Sequence, residues 1–122
     1  MKQFISLHYK EDNSIIGIDI NILVCATLTE DNKCTKLYLQ DDEYNACFVN
    51  ETPAMIMKLI GETRKFILVH GRSVNNDVII PKDIIRTVKT NTVGSIITIN
   101  NPAFTDIEVN EKVTSVIEML NS

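Results

Sequence analysis

Phe66-Ile67-Leu68-Val69-His70 echoes Phe4-Ile5-Ser6-Leu7-His8, sixty-two positions earlier, and this echo constrains the fold more than any other feature of the chain. At the same offset Asn13 matches Asn75, Ile18 matches Ile80 and Ile22 matches Ile84. Around Thr27 to Asn32 the first copy is two residues longer, and from there the offset is 60. Leu37-Tyr38-Leu39 then lies over Ile97-Thr98-Ile99, Tyr44 over Phe104, and Val49-Asn50-Glu51 recurs as Val109-Asn110-Glu111. Ile56 and Ile60 lie over Val116 and Leu120. One unit of about sixty residues is thus written twice, and two copies are too few for a solenoid. Sixty residues bury only about 60% of the surface they expose when unfolded, so each copy is marginal alone. The expectation is one compact unit made of two repeats, 1–62 and 63–122, packed with pseudo-two-fold symmetry around a shared hydrophobic interior.

Within each copy the pattern reads as four or five antiparallel strands in a meander, closed by a helix, an α+β class of fold. Lys2 to Tyr9 is rich in strand formers, and Glu11-Asp12-Asn13-Ser14 is a turn cluster. Ile16, Ile18 and Ile20 share one face at the strand period of two. Asp19 and Asn21 then mark a bend or bulge. Ile22-Leu23-Val24-Cys25-Ala26 is a continuous apolar run, which fits a strand buried on both faces and placed centrally, close to the other copy. Its counterpart Ile84-Ile85-Arg86-Thr87-Val88 is less apolar. Turns follow at Thr29–Lys33 and Asn91–Gly94, where Gly94 can supply a positive φ. Strands are expected at Lys36–Gln40 and Ile96–Asn100, turns at Asp41-Asp42-Glu43 and Asn101-Pro102-Ala103, and further strands at Tyr44–Asn50 and Phe104–Asn110.

Thr52-Pro53 opens the first helix as N-cap and first helical residue, and Gly61 stops it. Pro53, Ile56, Met57 and Ile60 form one apolar stripe, matched by Val113, Val116, Ile117 and Leu120, so each helix is expected to cover its own sheet. Met55 and Leu59 lie off the stripe. They are candidate interface residues, facing either the other copy or another subunit.

Residues 1–62 hold five Lys/Arg against ten Asp/Glu, net −5, and residues 63–122 hold seven against six, net +1. An acidic chain lacks the basic footprint of a general nucleic-acid binder. A local basic patch could draw only on Arg64, Lys65, Arg72, Lys82, Arg86 and Lys89. Three cysteines without CxxC spacing read as reduced thiols in a reducing compartment. No apolar run approaches a membrane span and the N-terminus has no apolar signal region, so a cytoplasmic protein, or one within a virion or host cytoplasm if phage-encoded, is expected.

The order of elements from Phe4-Ile5-Ser6-Leu7 through Ile18–Leu23 and Thr35–Leu39 to Phe48-Val49-Asn50-Glu51-Thr52 and an amphipathic helix resembles the small FlbD-like proteins found with flagellar genes. Those proteins are single units of about the size of one copy, and the resemblance implies a DNA-binding or transcription-regulatory role. The glycine turns usual in that family are missing from the first copy.

The chemistry-bearing residues do not assemble into a site at the level of sequence. His8 and His70 occupy equivalent positions, which points to one shared structural role. The spacings between Cys25, Cys34 and Cys47 fit no zinc pattern, and no activating neighbour identifies a Cys–His nucleophile. Asp41-Asp42-Glu43 lacks the glycine and alternation of a calcium loop. Gly17, Gly61, Gly71 and Gly94 are isolated, so no phosphate-cradling loop is present, and seven aromatics without tryptophan make no stacking platform. No catalytic set, metal or cofactor is expected. The reading is a non-enzymatic interaction or assembly module, an accessory or structural protein of bacterial or phage origin whose partner is another protein or itself.

Overall fold

The computed structural model describes residues 3–40, 47–72, 75–101 and 106–122. Phe4–His8 (β1) and Ile15–Asp19 (β2) form a hairpin in which Phe4 faces Asp19 and His8 faces Ile15. Asn13 sits in its turn at φ +61°, a left-handed conformation that asparagine tolerates. Where the sequence marks a bend, the chain makes one 3-10 turn, Ile20–Ile22, whose first free N–H, on Asn21, is accepted by the Asp19 carboxylate. Leu23–Leu28 (β3), Thr35–Leu39 (β4) and Cys47–Val49 (β5) follow. Pro53–Ile60 (α1) begins as its sequence requires: Thr52 Oγ1 accepts the Met55 N–H at 3.2 Å, and Gly61 ends the helix at φ +62°.

The second half of the chain supplies Phe66–His70 (β6), Asp77–Pro81 (β7), a 3-10 turn at Lys82–Ile84, Ile85–Thr90 (β8), Ser95–Ile99 (β9), Asp106–Val109 (β10) and Val113–Asn121 (α2). The first residues of β1, β2, the turn and β3 are 4, 15, 20 and 23, and their counterparts start 62 later, at 66, 77, 82 and 85. From β4 onward the spacing is 60: 35 to 95, and 53 to 113 for the helices. The expected turns at Asp41-Asp42-Glu43 and Pro102-Ala103, with Tyr44 and Phe104, lie outside the described residues.

The described residues form an α+β structure with ten strands in three antiparallel sheets and two helices. β1 pairs with β2; β8, β9 and β10 form a second sheet; the largest runs β5-β4-β3-β7-β6. The 3-10 turns therefore divide each expected meander into a hairpin and a three-strand segment. Single bridges, Tyr9 to Val49 and Gly71 to Val109, tie each hairpin back to the last strand of its own half.

β3 holds the halves together. It pairs with β4 on one side and with β7 on the other, Ala26 opposite Ile79 and Thr27 opposite Val78. The continuous apolar run of this strand has the central position it requires. A two-fold arrangement of the halves would also pair β8 with β2, yet among the described residues β8 pairs only with β9 and β2 only with β1.

The expected single interior is two. Period-two alternation sends Phe66, Leu68 and Ile79 into a cluster with Leu7, Ile56 and Ile60, and Ile67, Val69, Val78 and Ile80 into another with Ile97 and Val116. The two clusters occupy opposite faces of the shared sheet. β3 feeds both, with Leu23 and Ala26 in the first and Val24 and Cys25 in the second. The expectation that each helix covers its own sheet is corrected for α1, which packs on β7 and β6 as well as β3; α2 lies on β8 and β6. β6 and β7 supply the apolar surface that the first half alone lacks. The matched stripes also differ: Met57 packs against the first cluster, whereas Ile117 is 43% exposed.

Gly94 turns β8 into β9 at φ +85°, and a Cβ there would run into the backbone carbonyls of Val109 and Asn110. Gly94→Ala is expected to lower the free energy of unfolding by about 2 kcal/mol or more, from left-handed strain plus this clash. Gly17→Ala, whose Cβ meets only Phe4 Cδ2 at 3.6 Å, should change it by no more than about 0.5 kcal/mol. Urea unfolding of the two variants side by side checks the contrast.

Candidate functional site

The densest polar cluster is built from the recurring Val-Asn-Glu triplet and the recurring histidine. Glu51 is buried where β5 gives way to α1, and its carboxylate accepts both the backbone N–H of His8 at 2.9 Å and a hydrogen bond from His8 Nδ1 at 2.6 Å. Asn50 adds two bonds from its side-chain amide, to the Tyr9 carbonyl at 3.2 Å and to Asn13 Oδ1 at 3.0 Å. In the second half Glu111 holds His70 at 2.9 and 2.7 Å, and Asn110 holds the Gly71 carbonyl and Asn75 Oδ1 at 3.2 and 2.7 Å. Each cluster fastens the end of a half's first strand and the following turn to the entry of its helix.

The two histidines differ in one respect. His70 Nε2 lies 3.3 Å from Asp77 Oδ1, so each ring nitrogen faces a carboxylate. At the position of Asp77 the first half has Ile15. A histidine engaged at both nitrogens has none left for general base work. Burial of Glu51 pushes its carboxyl up, but the hydrogen bonds from the His8 ring and backbone outweigh this and hold its pKa below the ordinary glutamate value.

The cysteines lie apart from these clusters. Cys25 and Cys34 are buried and Cys47 is half-buried, and none of the three is in a disulfide. Cys25 borders a groove of about 700 Å³ between β3–β4 and the far ends of β7 and β10. Burial pushes its thiol up to about 12, with Lys36 pulling weakly the other way, so no thiolate is presented to the groove.

The six candidate basic residues sit in different surroundings. Arg64 is a clamp between the halves: Nη1 donates to the carbonyls of Ile20 at 2.7 Å and Leu23 at 2.8 Å, while Nε and Nη2 grip both oxygens of Asp83 at 3.0 and 2.8 Å. Its side chain is only 10% exposed, and its guanidinium lies over the Phe66 ring. Arg72 faces Glu108 at 3.7 Å, Lys65 faces Glu62 at 3.8 Å, and Lys82 Nζ donates to the Ser122 carbonyl at 3.0 Å. Arg86 and Lys89 are exposed on β8. Nothing in the sequence marks Arg64 as different from its basic neighbours, because its acceptors are backbone carbonyls more than forty residues away.

Met55 and Leu59, on α1, are 52% and 54% exposed. Neither side chain is buried by the second half.

No helix among the described residues is long and apolar enough to cross a membrane. Compared with family models, curated proteins and solved structures, the chain finds no match.

The Glu51 cluster makes a pH prediction. A carboxyl held lower in the folded chain than in the unfolded one contributes its full stability above the ordinary glutamate value of about 4.3. That contribution is lost as pH falls through the lowered folded value. Glu51→Gln keeps an acceptor for the His8 N–H but not the charge. It is expected to be less stable than the unsubstituted chain at neutral pH and to converge on it as pH falls through the lowered folded value of Glu51. Urea titrations across that range test this; a constant gap at every pH would show that the carboxylate charge contributes nothing.

Proposed function

We propose that the chain is a non-enzymatic interaction or assembly module, made of two tandem units, 1–62 and 63–122, that act as one compact body in a reducing compartment. The observation that carries this reading is the Met55–Leu59 pair. Four residues apart on α1, the two side chains are neighbours on the helix surface, and both are more than half exposed. An adjacent apolar pair contributes nothing to the isolated chain there and gains when a second protein covers it. The recurrence of the histidine–glutamate–asparagine cluster supports the tandem reading: the same residues do the same fastening twice, as structural parts do.

The regulatory role implied by the FlbD-like resemblance draws on the basic residues of the second half. Arg64 is engaged between the halves, and Arg72, Lys65 and Lys82 each face an acidic or carbonyl oxygen. The observations favour the assembly reading.

A photo-activated cross-linking residue placed at Leu59 in the producing cell is expected to trap a second polypeptide, and one placed at exposed Glu30 is not. Equal trapping at both positions, or none at Leu59, would count against an interface on α1.

A further inference from the structure

The contact between the two halves is not self-complementary, and this has a consequence at the ends of the molecule. β3 of the first half pairs with β7 of the second. The counterpart of β3 is β8, and the counterpart of β7 is β2. Both are left as outer strands among the described residues. Every chain therefore carries one free copy of each side of a junction that it already makes once internally.

The surfaces flanking these edges are those that the internal junction buries. Phe66 is 7% exposed under the first half, while its counterpart Phe4 is 62% exposed. Ile79 is fully buried, while its counterpart Gly17 is exposed. Val24 is buried, while its counterpart Arg86 is exposed. On the helices, Met57 is packed while its counterpart Ile117 is 43% exposed.

We propose that the chain self-associates head to tail. The β8 edge of one copy pairs antiparallel with the β2 edge of the next, in the register that β3 and β7 use within the chain. This deepens the assembly reading, on which it rests, by naming the partner as a second copy and the edges that meet. Carrying the internal register across puts Val88 opposite Gly17 and Lys89 opposite Ile16. The internal pairing ends after these two pairs, where β3 and β8 each carry a bulge at Val24 and Arg86, and at that end Arg86 of one copy comes beside Asp19 of the next, opposite charges that favour the alignment. The charged β8 edge suits this partner and discourages pairing with strands at large.

The contact is weaker than its internal model. β8 offers Arg86 and Thr87 where β3 offers Val24 and Cys25, and Ser14 stands where Asn76 donates to the Leu28 carbonyl at 2.6 Å. Association should therefore depend on concentration. Because the two edges differ, the contact closes into a ring or continues as a filament.

Sedimentation velocity at rising concentration tests the proposal. The unsubstituted chain is expected to exceed the mass of one chain. Arg86→Glu, which sets like charges across the junction, should weaken association by about tenfold, and so should Asp19→Arg. Asp19 also accepts the Asn21 N–H at 3.0 Å; Asp19→Asn keeps an acceptor and should fall between the two. Mixing the R86E and D19R chains should restore association, because each then meets opposite charge. A β8-to-β8 contact would leave D19R unaffected and unchanged by mixing, and would overturn the proposal. Association indifferent to both substitutions but lost in a Met55→Glu/Leu59→Glu variant would overturn the proposal while the interaction reading stands. A single-chain mass at every concentration, with no cross-link at Leu59, would overturn both.

Discussion

The pairing of β3 with β7 is the contact on which the rest of the structure depends. A strand that buries both faces needs apolar material above and below it, and the first half supplies only one side. Val24 and Cys25 enter the cluster of the second half, and Phe66, Leu68 and Ile79 enter that of the first. At about 2 kcal/mol for each fully buried aliphatic or aromatic side chain, Val24, Phe66 and Ile79 contribute on the order of 6 kcal/mol, a large share of the net stability of a domain this size. Neither half keeps a complete core without the other.

Polar contacts reinforce the same strand at both ends. Arg64 holds the carbonyls of Ile20 and Leu23 at its entry, and Asn76 holds the carbonyl of Leu28 at its exit. Both donors come from the second half. The histidine–glutamate clusters do different work: each is internal to its half and locks a first strand to the start of a helix. Stability within a half and stability between halves are thus assigned to different residues. The proposed assembly role draws on that division: His70, Glu51 and Glu111 are engaged in fastening, while Met55 and Leu59 on α1 are exposed.

Much of this was legible in the sequence because the signals were local. Thr52, Pro53 and Gly61 specify a helix by capping and backbone geometry alone, and α1 runs between them. The run from Ile22 to Ala26 has no polar face, which is enough to place β3 at the centre. What the sequence could not show was which strand would lie beside it. β7 and β2 share a period, and both can satisfy a neighbour; the choice is made by the long-range packing of Phe66 and Ile79 against α1. The strand pairing does not confirm the two-fold expectation, since similarity between halves says nothing about the operation that relates them. Arg64 was hidden by the same distance: its role depends on carbonyls far away in the chain. Helical periodicity is local and sets Met55 and Leu59 off the apolar stripe, but what covers that side of α1 is not written in the sequence.

Native-state hydrogen exchange under rising denaturant tests most directly whether the shared strand pair binds the molecule into one cooperative unit. The account predicts that the slowest amides of β3, β7, α1 and α2 exchange through a single opening with one free energy and one denaturant dependence, while the outer strands β2 and β8 open more readily. If α1 and β3 exchanged through an opening that left β6, β7 and α2 protected, or the reverse, the halves would be independent and the central claim would be wrong.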